Sequence, residues 1–166
     1  MRQMISFNTD AGRFSHRVGA VAIRNGRFLA MMFEGQDYWF LPGGRVELNE
    51  PSEAALRREM EEEFGAEVRV GRLLWVLENF FPLRGVPFHE LGLYYHVEMP
   101  ESWRHIDSDE PFEIIDGADR LTCRWHPLDS LDTFPVKPAV LSDALRAIPN
   151  ETAHIVHLEP FHGANL

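Results

Sequence analysis

The sequence predicts an α/β domain in which a mixed sheet carries helices on its faces, and three observations lead there. Apolar runs of strand character flank Asn25-Gly26, the strongest short-range signal for a β-hairpin. A helix marked at both ends, by Pro51 and Gly65, interrupts the strands. Further strand-like runs follow with hairpin and irregular connections between them, which breaks the strict alternation that a purely parallel sheet requires.

In chain order, residues 17–23 and 27–33 supply the arms of the hairpin. Residues 51–64 form the helix: Pro51 suits a first helical position, where its missing N–H costs nothing, and Gly65 suits the left-handed residue beyond the end. Strands are predicted at 68–77, 89–98 and 121–126, a second helix at 138–147 and a last extended piece at 153–158. No internal repeat is present. Pro149-Asn150 is the one weak boundary, so the 166 residues are expected to make a single domain, with residues 150–166 as a candidate C-terminal extension.

Composition narrows the function. With 45% hydrophobic and 25% charged residues the chain has the make-up of a folded globular protein, not of a disordered one. No apolar run approaches the roughly 18 to 20 residues of a membrane span, and the first residues hold no signal-peptide core, so a cytoplasmic protein without a membrane partner is expected. The single Cys123 cannot form an intrachain disulfide and has no surroundings that mark a nucleophile. A formal charge of −10, from 26 acidic and 16 basic side chains, leaves no basic stripe for duplex nucleic acid. A small phosphorylated ligand remains compatible, because a divalent cation can bridge carboxylates and phosphate oxygens. Oligomeric state is open, a homodimer included.

The first helix holds the informative pattern. Leu56, Met60 and Phe64 recur as an apolar stripe, and Glu59, Glu62 and Glu63 form a neighbouring stripe at i, i+3 and i+4. An acidic run is most simply a solvated face. Like charges at i, i+4, however, cost a few tenths of a kcal/mol, and carboxylates in a last turn oppose the macrodipole by roughly 0.3 to 1 kcal/mol each. A divalent cation against the stripe offsets both costs, since it needs several oxygen ligands held together. Upstream, Leu41-Pro42-Gly43-Gly44 allows the backbone to approach a ligand closely, and a carbonyl there can complete the coordination.

From Gly44 to Ala66 the chain reads Gly44, five residues, Glu50, seven residues, then Arg58-Glu59-Met60-Glu61-Glu62-Glu63-Phe64-Gly65-Ala66, which resembles the Nudix box of the Nudix hydrolases. Its seven demanded identities would coincide by chance with a probability of roughly 10⁻⁶ to 10⁻⁷ at ordinary residue frequencies. Leu41-Pro42-Gly43-Gly44 and Trp125-His126-Pro127-Leu128 are similar to Nudix surroundings, less specifically. Ala66, where a larger aliphatic is usual, and Asn49, at a position often held by Gly, depart from the pattern without removing an acid.

The resemblance implies a Nudix-type α/β/α sandwich with a mixed β-sheet and a pyrophosphohydrolase that uses magnesium or manganese (Mg²⁺ or Mn²⁺). The substrate it implies is a small nucleoside diphosphate linked to another group: a nucleotide sugar, ADP-ribose, a dinucleotide or a modified nucleoside triphosphate. By position, it implies Glu59, Glu62 and Glu63 as metal ligands with the carbonyl of Gly43, and Glu59 and Glu63 as the catalytic acids. Gly44, Glu50, Arg58 and Gly65 carry structural roles, Arg58 orienting the glutamates through charge-assisted hydrogen bonds. The general base is Glu59 or a later carboxylate among Glu98, Glu101, Asp107, Asp109, Glu110, Glu113 and Asp116, a stretch that equally reads as a solvated acidic loop. The alternative is a non-catalytic nucleotide-sensing module on the same fold. A decapping enzyme is disfavoured by the missing basic surface.

Other residues give weaker signals. His89-Glu90 lacks the second histidine of a zinc-protease helix, which leaves structural or substrate-edge roles. His154 and His157 fall three apart on a predicted strand and so face opposite sides. Phe33, Tyr38, Trp39, Phe80, Phe81 and Phe88 are either core or a stacking surface for a base. Arg84 sits in a turn, where it is exposed or reaches a phosphate. No substrate-binding residue is assigned from the sequence.

Overall fold

The computed structural model describes residues 3–160. Eight strands form one mixed sheet: β1 (Ser6–Thr9), β2 (Gly12–Arg24), β3 (Arg27–Phe33), β4 (Arg69–Leu83), β5 (Val86–Glu98), β6 (Phe112–Asp116), β7 (Asp119–Pro127) and β8 (Ala153–Leu158). Two helices, α1 (Ser52–Phe64) and α2 (Val140–Arg146), complete the architecture. The order across the sheet is β6-β7-β3-β2-β5-β4-β8, with β1 added to β2. β2 runs parallel to β5 and β4 parallel to β8, while the remaining pairs are antiparallel. This is the predicted α/β class with its mixed sheet.

Asn25 and Gly26 turn the predicted hairpin, with φ of 51° and 71°, and Ile23 pairs with Phe28 and Arg24 with Arg27. The strand alternation then divides the core. Val18, Ala20, Leu29 and Val97 point to one face and pack with Leu56, Met60 and Phe64 of α1, with Trp103 and Trp125 closing that cluster. Val21, Phe28, Trp75, Leu77 and Tyr94 point to the other face and pack against Leu141 and Leu145 of α2. Each helix covers one face, which makes the α/β/α sandwich.

Several predicted bounds move. β4 and β5 run six residues further and three residues earlier than predicted, meeting at a tight turn at Arg84-Gly85. Pro82 and Pro87 sit opposite each other at the end of this ribbon, where the ladder no longer needs their N–H groups. β1 and β6 were not predicted: both are short, and β1 is polar at three of its four positions. The stretch after Pro149-Asn150 carries β8, which joins the sheet beside β4 over Trp75 to Phe80. Among the described residues, no helix is long and apolar enough to cross a membrane.

Candidate active site

The site begins with the way α1 is held. Pro51 stands at the N-cap, with ψ of 140°, one residue before its predicted place, and Ser52 begins the helix. At the other end Gly65 adopts φ 58°; its N–H donates to Glu61 O and the N–H of Ala66 to Met60 O, closing the last turn. Ala55, Leu56, Met60 and Phe64 anchor the buried side. The acids are therefore turned toward the preceding loop.

That loop is laced to β2. The N–H groups of Val18 and Ala20 donate to the carbonyls of Gly44 and Pro42, at 2.9 and 2.7 Å. Gly44 lies against the Glu59 carboxylate so closely that a Cβ there would come within 2.2 Å of its carboxyl carbon. Arg58 ties loop and helix together. Its Nε and Nη2 donate to the two carboxylate oxygens of Glu50 at 2.8 and 2.9 Å, and its Nη1 to Glu59 at 2.7 Å and Glu62 at 3.2 Å. Glu50 in turn accepts the N–H of Glu47 at 2.9 Å.

Glu63 stands apart from this network. Its Oε2 is buried and has no hydrogen-bond partner. Burial, followed by Glu59, Asp116 and Glu62, pushes its pKa up to about 8, against an opposing pull from Arg17. Glu59 is raised too, by burial first, with Arg58 restraining the shift. A carboxylate oxygen stranded among other acids needs a cation or a proton. The donor set of Glu59, Glu62, Glu63 and the Gly43 carbonyl fits a hard divalent ion, all of it oxygen. Among the described residues, no three or more His, Cys, Asp or Glu side chains are gathered into a finished metal cluster, and Arg58 now spans Glu59 and Glu62.

Most of the late acids are held elsewhere. Glu98 pairs with Arg69, Glu101 and Asp107 both with Arg24, Asp109 with Arg27 and Glu113 with Arg120. Asp116 is the one whose charge Glu63 feels. A cavity of about 850 Å³ opens beside Glu63, walled by Trp103, Arg104, His105, Glu113 and Ile115. A second cavity, of about 680 Å³ and lined by Phe7, Phe14, Phe80, Phe88 and Leu158, lies at the far end of the sheet and shares no residue with the box.

Arg17 escaped the sequence reading. It opens the predicted strand and shares β2 with Arg13 and Arg24, so its charge alone did not single it out. Its Nη2 donates to the Gly43 carbonyl at 3.3 Å. Burial works against its charge, yet Glu90, Tyr94, Glu63 and Glu59 outweigh it and keep the guanidinium more firmly protonated than usual. The remaining candidates resolve simply. His154 bonds Glu78 while His157 points to the other face; Cys123 is buried, its thiol pushed up to about 12 by desolvation. Phe33 stacks on Phe40, Phe80 on His89 and Phe81 on Phe88, and Trp39 packs edge-on against His126. Tyr38 is partly buried, and Arg84 is an exposed turn residue.

A mixed sheet between two helices, with a loop and helix presenting clustered glutamates at one side, defines a class of α/β/α domains. The chain belongs to the Nudix family: the NUDIX domain model matches residues 14–146. Over 61 residues it is 41% identical to a MutT-like protein of Streptomyces ambofaciens, a match covering 37% of this chain and 40% of that protein. The chain thus spans about two-fifths of the length of the curated relative it matches. A MutT NUDIX hydrolase from Burkholderia pseudomallei is 27% identical, with a TM-score of 0.56 over 82% of this chain and 98% of that one. An ADP-ribose pyrophosphatase from Streptococcus suis shares the fold at 13% identity, with a TM-score of 0.59 over 86% and 98% of the two chains.

Proposed function

We propose that this chain, folded as a single domain in the cytoplasm, is a divalent-metal-dependent pyrophosphohydrolase. Its substrate is a small nucleoside diphosphate linked to another group. One observation carries the reading: the stranded Oε2 of Glu63, beside a Glu59 carboxylate that Gly44 makes room for and Arg58 steers. Glu59, Glu62 and Glu63, with the Gly43 carbonyl, would hold Mg²⁺ or Mn²⁺. When bound, such an ion supplies charge neutralisation for the diphosphate and lowers the pKa of a water.

The chain's own residues do the rest. Arg58 fixes the glutamate rotamers through Glu50, so the oxygens stay near one another despite their repulsion. Arg17 brings a fixed positive charge to the rim of the acids, where phosphate oxygens would lie. Glu59 or Asp116 takes the proton of the attacking water. The cavity beside Glu63 offers room for the group on one side of the bond.

The test is a panel of ADP-ribose, a nucleotide sugar, a dinucleotide and modified nucleoside triphosphates, with product masses read with Mg²⁺, with Mn²⁺ and with EDTA. At least one compound should be split at its diphosphate in a metal-dependent way. Absence of turnover across the panel, or turnover indifferent to EDTA, would overturn the reading.

A further inference from the structure

Two more of the buried polar atoms without a partner, Asn79 Oδ1 and His157 Nε2, lie next to each other across the sheet. Asn79 pairs with His157 between β4 and β8, with Glu90 between β4 and β5, and Glu90 pairs with Ser15 between β5 and β2. Ser15, Glu90, Asn79 and His157 therefore make one row over four strands. Strand alternation puts the row on the α2 face, since Leu77, Tyr94 and Ile155 belong to that core. Ser15 and Asn79 are 2% and 4% exposed, and Ser15 Oγ donates to Glu90 Oε2 at 3.3 Å. Glu90 and His157 are partly open. His157 Nε2 stands 3.6 Å from Glu159, too far for a hydrogen bond.

Such a row weakens the sheet unless something completes it, because a desolvated amide oxygen with no donor opposes folding. Its neighbours indicate what does. Two residues away on one side, Phe81 and Phe88 stack with centroids 5.1 Å apart. Two residues away on the other, about 7 Å along the strand, Arg17 touches the box loop. The row is thus flanked by flat apolar rings and by a cation already at the acidic site.

We propose that this row is the nucleobase subsite of the enzyme, selecting bases that present an exocyclic amino group. The proposal rests on the nucleotide-hydrolase reading above. Glu90 accepts N–H donors, the Asn79 amide both donates and accepts, and His157 contributes a ring nitrogen at the edge. Phe81 and Phe88 offer a surface for the heterocycle, and Arg17 meets the phosphate that joins base and box. Uracil, which offers a carboxylate a single ring N–H between two repelling carbonyl oxygens and no amino group, is disfavoured.

Calorimetric titration in EDTA with GMP, AMP, CMP, UMP and ribose 5-phosphate tests this on the wild-type chain, Asn79→Leu, Glu90→Gln and Glu63→Gln. At least one amino-bearing nucleotide should bind tenfold or more tightly than UMP and ribose 5-phosphate. Asn79→Leu and Glu90→Gln should each erase that preference. Asn79→Leu should also melt no lower than the wild type, because it removes a stranded polar atom; a merely structural asparagine would lower the melting point. Glu90, at the open rim, carries the test if Asn79→Leu does not fold. Equal binding of UMP or ribose 5-phosphate, or unchanged selectivity in both row variants, would overturn the proposal. Base-selective binding that persists in Glu63→Gln, with no hydrolysis by the wild type, would sink the hydrolase reading and leave the subsite standing. Turnover with a KM insensitive to the row variants would do the reverse.

Discussion

Glu63 is the carboxylate on which the proposed chemistry turns, its buried Oε2 lacking a hydrogen-bond partner. Replacing it with Gln keeps its shape and removes its charge, so turnover on the identified substrate should fall at least a hundredfold while the melting point holds or rises in the absence of metal. Steady-state kinetics at limiting Mg²⁺, with a melting curve alongside, checks this; full activity would exclude Glu63 as a ligand. The raised pKa has a second consequence. The folded state holds the proton up to about pH 8, whereas the unfolded chain releases it near 4.5. Between those values the native state binds more protons than the unfolded one, so metal-free stability declines as pH rises through this window. In EDTA the melting point should drop by at least about 3 °C, the response to roughly 1 kcal/mol in a domain of this size, and Glu63→Gln should flatten the slope. Gly44→Ala gives a complementary test: its Cβ would push the Glu59 carboxylate aside, lowering activity while leaving the buried side of α1 intact.

At the scale of elements, α1 shows how much a local pattern can specify. The acids, the apolar stripe and the closing glycine are all written within fifteen residues, and helical geometry alone converts their spacing into faces. Gly65→Ala isolates the backbone part of that design, since nothing lies within 4 Å of the added methyl group and only the left-handed conformation opposes it. A loss of about 1 kcal/mol is expected, visible as a shift in the urea midpoint without a change in slope. The row on the α2 face was illegible for the opposite reason. Ser15 and Glu90 lie 75 residues apart, and their meeting depends on the register of a parallel pair that no local signal encodes. Glu90 drew notice only beside His89, and Asn79 none. The ribbon of β4 and β5 outruns the predicted strands, and Pro82 and Pro87, residues that usually end strands, sit opposite each other where its ladder closes.

Across the whole molecule, two buried groups pull the pH profile in opposite directions. His126, packed between Trp39 and Phe134 in the core beneath α2, is held down to about 4 by desolvation. An unfolded histidine takes its proton near 6.5, so stability is lost as pH falls from there toward 4. Set against Glu63, this gives the metal-free protein a stability maximum between about pH 5 and 7. A saturating divalent ion should move that maximum upward, as it favours the ionised glutamate; thermal scans from pH 4 to 9 with and without Mn²⁺ measure it, and His126→Phe should remove the acid limb alone. The topology adds a last consequence. Because β8 lies in parallel beside β4, the flank of the sheet that bears Trp75 to Phe80 stays bare until β8 has left the ribosome. A chain stopped at Pro149 would expose that flank to its neighbours and should be captured by chaperones or precipitate, so that synthesis of β8 is what shields the open edge of β4.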